Sequence, residues 1–123
     1  MRKMTAKDRF YAECRKAFEK PTIVCLCGST RFGEAFRKAN LEETLKGKIV
    51  LSIGCDFKSD DALGLTEDDK KRMDELHLKK IDLADEVLIL NVGGYIGEST
   101  RRELEYAKRN GKSIRFLEEA TNA

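Results

Sequence analysis

Two short glycine-bearing stretches hold the residue types that could do chemistry in this chain. The first, Gly28-Ser29-Thr30-Arg31, follows the apolar run Thr22-Ile23-Val24-Cys25-Leu26-Cys27 and leads into a helical pattern. Glycine lets the backbone turn tightly, a helix start presents unpaired N–H groups, and serine, threonine and arginine add donors. That combination suits a phosphate or another anion, although it has neither the P-loop spacing nor the dinucleotide fingerprint. A local reading stands beside it, with Ser29 or Thr30 as a helix cap and Arg31 as a surface charge. The second stretch places Gly93, Gly94 and Gly97 around Tyr95, so its backbone either approaches a ligand or adopts torsions that other residues resist. A helix then opens with Glu98-Ser99-Thr100-Arg101-Arg102-Glu103, where Thr100-x-x-Glu103 has capping-box spacing and would turn Glu103 onto its own helix amides.

The one histidine, His77, shares a helix face with Met73 and Ile81. Cysteines stand at 14, 25, 27 and 55, with no C-x-x-C pair, so no metal site is expected. Cys25 and Cys27 lie side by side on one strand face, where a mutual bridge would need distortion; all four are expected as reduced, mostly buried thiols. The acidic stretch with Asp56, Asp60 and Asp61 lacks the calcium-loop pattern and reads as a solvated lid without direct chemistry.

These residues must be held by an alternating series of elements. Thr5 with Asp8 opens a first helix that runs to about Lys20 before the sole proline, Pro21. The run 22–27 is apolar throughout, as a strand buried on both faces should be. A helix over about 31–46, a strand over 48–53, and a helix from Thr66 to about Leu83 follow, Asp69 completing the cap of the last. A third strand (86–91), a helix (98–110) stopped by Gly111, and a fourth strand (112–117) complete the pattern. Such alternation with short connections predicts right-handed crossovers and a parallel sheet. We expect a flavodoxin-like (Rossmann-like) α/β three-layer sandwich of strand order 2-1-3-4, one domain over 1–123, with the helix of 1–20 added before a core of 22–117. In that order the switch point lies between strands one and three, where both glycine-bearing loops arrive.

With 123 residues, 41% hydrophobic and 37% charged, the composition is that of an ordinary globular domain with a well-solvated surface. The net charge of +2, from 24 basic and 22 acidic residues, argues against a binder of polymeric nucleic acid. No apolar run approaches membrane-spanning length, and the basic start is not followed by a secretory core, so a cytoplasmic protein without membrane partners is expected.

Cys27-Gly28-Ser29-Thr30-Arg31 resembles the Cys-Gly-Ser-x-Arg segment of the 2′-deoxynucleoside 5′-phosphate N-hydrolases. The stretch from Ala84-Asp85 through the third strand is similar to nucleoside 2-deoxyribosyltransferases, as are the glycine-rich turn, the glutamate in the next helix, and Ala107 followed by Gly111-Lys112. The resemblance spans about residues 22 to 117. A weaker likeness, in Thr100-x-x-Glu103, is to cytokinin-type nucleotide phosphoribohydrolases, which also break an N-glycosidic bond.

The resemblance implies that Glu103 is a nucleophile that attacks C1′ of the sugar, giving a glycosyl-enzyme intermediate that water or a second base resolves. It implies that Ser29 and Arg31, with Gly28 and Thr30 beside them, hold a 5′-phosphate. The family's phosphate-binding serine falls at Gly97, so Ser99 could replace it only by a shift, next to Thr100; Gly94 and Tyr95 would border the base, Tyr95 by stacking or by local packing. Two departures stand out: Cys25 occupies the place of a tyrosine that hydrogen-bonds the nucleophile, and His77 that of the acid that assists the leaving base. An imidazole could protonate a departing base near neutral pH, with Asp74 and Glu75 as alternatives. The implied ligand is a nucleoside or nucleotide, with no cofactor and a homodimeric assembly. The alternative is a nucleotide-binding sensor that uses the same pocket without turnover.

Overall fold

The computed structural model describes residues 3–17, 20–54 and 63–119. Cys55 and the acidic loop with Asp56, Asp60 and Asp61 lie outside the described residues, as do positions 18–19 of the first helix's expected span, while Lys20, its expected end, is not helical. Helix α1 (Ala6–Ala17) starts at the expected reciprocal cap, the Asp8 amide donating to Thr5 Oγ1 at 3.0 Å and the Thr5 amide to Asp8 Oδ2 at 3.1 Å.

Strand β1 (Ile23–Cys27) pairs in parallel with β2 (Ile49–Leu51) on one side and β3 (Glu86–Ile89) on the other, and β4 (Ser113–Phe116) extends the sheet beyond β3. The order is β2-β1-β3-β4, the flavodoxin-like arrangement. β1 and β3 are central and almost fully buried, which explains their unbroken apolar runs. Alternate residues serve opposite layers. Cys25, Cys27, Val87 and Ile89 pack with Ile81 and Ala84 and with Ala107, at the side of α3 (Glu67–Leu83) and α4 (Glu98–Arg109). Val24, Leu26, Leu88 and Leu90 pack with Phe36 and Ala39 of α2 (Gly33–Leu45) on the other face. Among the described residues no helix is long and apolar enough to cross a membrane.

Several expected boundaries shift for local reasons. α2 starts at Gly33 rather than near Arg31, because Ser29 turns the chain first: its carbonyl accepts from the Phe32 amide at 3.0 Å and its hydroxyl from the Arg31 amide at 3.3 Å. β2 stops at Leu51 because it is an edge strand, and past it the Ser52 carbonyl turns to the Lys80 ammonium at 2.6 Å. β3 gives way after Ile89: the side chain of Asn91 bridges to the backbone of Glu118, donating to its carbonyl at 2.9 Å and accepting from its amide at 3.0 Å.

Two motif residues prove to hold the frame. The Asp85 carboxylate accepts from the Ile23 amide at 2.9 Å and so sets the start of β1 against β3. The Lys112 ammonium donates to the carbonyls of Asp82 and Ala84, at 2.9 and 2.8 Å, closing the end of α3. At the amino ends of the strands, on the α2 side, Glu43 is 2% exposed and pairs with Lys46, Lys48 and Arg115, while Glu86 pairs with Lys48 and Arg115.

Candidate functional site

A cavity of about 510 Å³ opens beyond the carboxyl ends of β1 and β3, at the switch point of the sheet. Its wall brings together residues from both glycine-bearing loops and from the middle of α3. Gly28, Ser29 and Thr30 come from the first loop, Tyr95 and Gly97 from the second, Ser99, Thr100 and Glu103 from α4, and His77 from α3. Gly94 and Arg31 do not line it. Arg31 instead lies over the Tyr95 ring, its guanidinium carbon 4.4 Å from the ring centre, and Phe32 meets the same ring edge-on at 5.9 Å. Tyr95 is 42% exposed, so its loop packing leaves part of the ring free at the cavity wall.

The backbone explains why glycine stands in these loops. A Cβ on Gly28 would sit 3.1 Å from Leu90 Cβ and 3.3 Å from the Leu90 carbonyl, because the chain leaving β1 crosses close to the end of β3. Gly93 and Gly94 turn with φ of 62° and 80°, torsions that side chains resist. The turn is held from outside by the Glu118 carboxylate, which accepts from the Gly93 amide.

Two helices, α4 at the cavity wall and α2 beyond the first glycine-bearing loop, begin without a side-chain cap. The N-cap of α2 is Phe32 and that of α4 is Gly97, and neither side chain bonds a first-turn amide. The expected caps are therefore absent: Ser29 serves the Arg31 amide, outside the helix, and Thr100 is buried in the first turn of α4 rather than preceding it. The capping-box reading of Thr100 and Glu103 is corrected by this one-turn offset, which frees Glu103 from its own helix start. The uncapped start of α4, where Gly97, Glu98 and Ser99 line the cavity, leaves amides and a positive dipole end available to an anion.

Beneath them lies a compact group of ionisable side chains. His77 is 6% exposed, and its Nε2 stands 3.3 Å from Cys27 Sγ, 3.7 Å from Cys25 Sγ and 3.7 Å from Glu103 Oε1. Its Nδ1 is buried with no hydrogen-bond partner among the described residues. Burial pushes the Glu103 carboxyl up to about 7, against the opposing pull of His77. Burial opposes charge on His77 as well, yet hydrogen bonding to Cys25 and the charge of Glu103 outweigh it and hold the imidazole above its usual value. The two thiols split: a hydrogen bond from Cys27 draws Cys25 down to about 5, and Cys27, hydrogen-bonded to Cys25 and buried, is pushed up.

The thiols as partners of His77 are what sequence reasoning missed. The signal was the i, i+2 spacing of Cys25 and Cys27 on the strand face that α3 covers. Lys80, one turn beyond His77, also reaches the cavity. Cys14, by contrast, is an exposed free thiol, against the expectation of burial, because α1 leaves it facing solvent. Compared with protein-family models and with curated proteins, the chain matches none.

Proposed function

We propose that this chain cleaves, or transfers at, the N-glycosidic bond of a nucleoside or its 5′-monophosphate, with Glu103 as the nucleophile. One observation carries the reading: a carboxylate released from helix capping stands 3.7 Å from the only imidazole of the chain, in a cavity onto which the uncapped N-terminus of α4 opens. The cavity volume suits a ligand of nucleotide size. A 5′-phosphate would meet Ser29, Thr30 and the start of α2, with Ser99 beside the start of α4, and the free side of the Tyr95 ring would border the base.

In this reaction Glu103 Oε attacks C1′ as the C1′–N bond breaks, and His77 passes a proton to the departing base. Water or an acceptor base then attacks C1′ on the face opposite Glu103 and gives up a proton to His77, the Glu103–C1′ bond breaks, and both the carboxylate and the protonated imidazole are regenerated. The resemblance to deoxyribosyltransferases adds a homodimeric assembly, which light scattering on the purified chain would test.

The experiment is incubation with each deoxynucleoside and each 5′-monophosphate, followed by chromatography for free base. Release of base that disappears in Glu103→Gln supports the proposal; no base from any substrate, or equal release by the variant, sinks it. A second reading is a nucleotide sensor, favoured by the thiol at Cys25 where the resembling enzymes carry a tyrosine. It predicts thermal stabilisation by a nucleotide that is afterwards recovered intact.

A further inference from the structure

We infer that Cys25, Cys27 and His77 form a binding site for a thiophilic divalent cation of the zinc class, three protein ligands with a fourth position toward Glu103. The two sulfurs and one imidazole nitrogen all lie within 4.8 Å of one another, and all three residues are buried. A zinc ion with Zn–S of about 2.3 Å and Zn–N of about 2.0–2.1 Å in tetrahedral geometry separates sulfur from nitrogen by about 3.5–3.6 Å. The observed separations, 3.3 and 3.7 Å, bracket that edge length.

Hydrogen bonding alone serves this group poorly. Nε2 has either one lone pair or one proton, yet two sulfurs and a carboxylate oxygen surround it at 3.3 to 3.7 Å. A cation at the common centre of the two sulfurs and the nitrogen engages these three at once. Two thiolates and a neutral imidazole around a divalent ion also make a site of zero net charge, the arrangement a buried location tolerates best. Binding is balanced by release of the thiol protons: each S–H bond breaks, a metal–sulfur bond forms, and the protons pass to solvent. Soft sulfur donors select zinc over magnesium or calcium, which require oxygen.

The site shares His77 with the proposed N-glycosidic chemistry but does not rest on that reading. If both hold, a bound cation occupies the lone pair of His77 and draws on Glu103, so loading suppresses base release; metal binding is nevertheless read without any substrate.

Chelator-treated full-length chain is dialysed against Zn²⁺ and its metal content measured. One equivalent should be retained, and none of Mg²⁺ or Ca²⁺. Replacing Zn²⁺ by Co²⁺ should produce a thiolate-to-metal charge-transfer band. Both signals should be lost in Cys25→Ser, Cys27→Ser and His77→Gln and persist in the double variant Cys14→Ser/Cys55→Ser. Because a core variant can fail to fold, the unmodified chain supplies a second readout: Zn²⁺ should slow alkylation of Cys25 and Cys27, followed peptide by peptide by mass spectrometry, without slowing Cys14. Retention of less than half an equivalent, a Co²⁺ spectrum without sulfur charge transfer, or unchanged alkylation of Cys25 and Cys27 would each overturn the site.

Discussion

Glu103 shows how one turn of helix register decides what a residue is available to do. As a capping partner its carboxylate would be spent on backbone amides; with α4 starting at Gly97 it projects between His77 and the cavity. Under the proposed function, Glu103→Gln keeps the size and removes the charge, and base release should fall by at least about 100-fold in a chromatographic assay. Ser29 offers a separate test of phosphate recognition. Ser29→Ala should raise KM for 5′-monophosphates by about 2- to 10-fold, the worth of one hydrogen bond, and leave free nucleosides unchanged. Gly28 is a structural counterpart at the same place. In Gly28→Ala the new methyl group meets Leu90 side chain and backbone, so the unfolding midpoint in urea should drop, by about 1–3 kcal/mol in stability.

At the scale of elements, α3, like α1, has its start set by local chemistry. Thr66 Oγ1 accepts from the Asp69 amide at 3.1 Å, and the Asp69 carboxylate accepts from the Thr66 amide at 3.0 Å. The Thr66 backbone amide first, and the Thr66 hydroxyl next, hold the Asp69 carboxyl below its usual value. A lowered folded value means that the stabilisation is complete above the unfolded value, near 4, and is lost as pH falls through the folded one. Urea denaturation should therefore find Asp69→Asn less stable than the parent at neutral pH, with the gap closing as the pH falls below about 4. The cap matters to function because α3 carries His77, and the helix start fixes how far along the strand direction that imidazole reaches. α4, which begins at the cavity without a side-chain cap, marks the contrast: its start has no such local stabilisation.

Across the whole molecule, the two ends of the sheet do different work. The carboxyl ends of β1 and β3 hold the cavity, while the amino ends are closed by Glu43 and Glu86 with Lys46, Lys48 and Arg115. Glu43→Ala leaves Lys48 and Arg115 short of a counter-charge at a nearly dry position. Its cost should be about 3–5 kcal/mol by urea unfolding, well beyond that of an exposed pair such as Arg109 with Glu105.

What could be read from residues alone was whatever depends on near neighbours in the chain. The apolar runs at 22–27 and 86–91, the glycine stops and the Thr-x-x-Asp starts specified the elements, and alternation specified a parallel sheet of order 2-1-3-4, because strand burial, caps and crossover handedness are rules of local pattern. Pairings between distant residues were beyond that reach. Nothing about Cys25 and Cys27, 52 and 50 residues before His77, announces that one nitrogen will lie close to both sulfurs, nor that Glu43 will meet Arg115 across 72 positions. Such contacts depend on helix register over the sheet and on exact strand ends, which are settled when side chains from separate elements pack together. The same packing moved Thr100 into the helix and turned Glu103 from a cap into a free carboxylate.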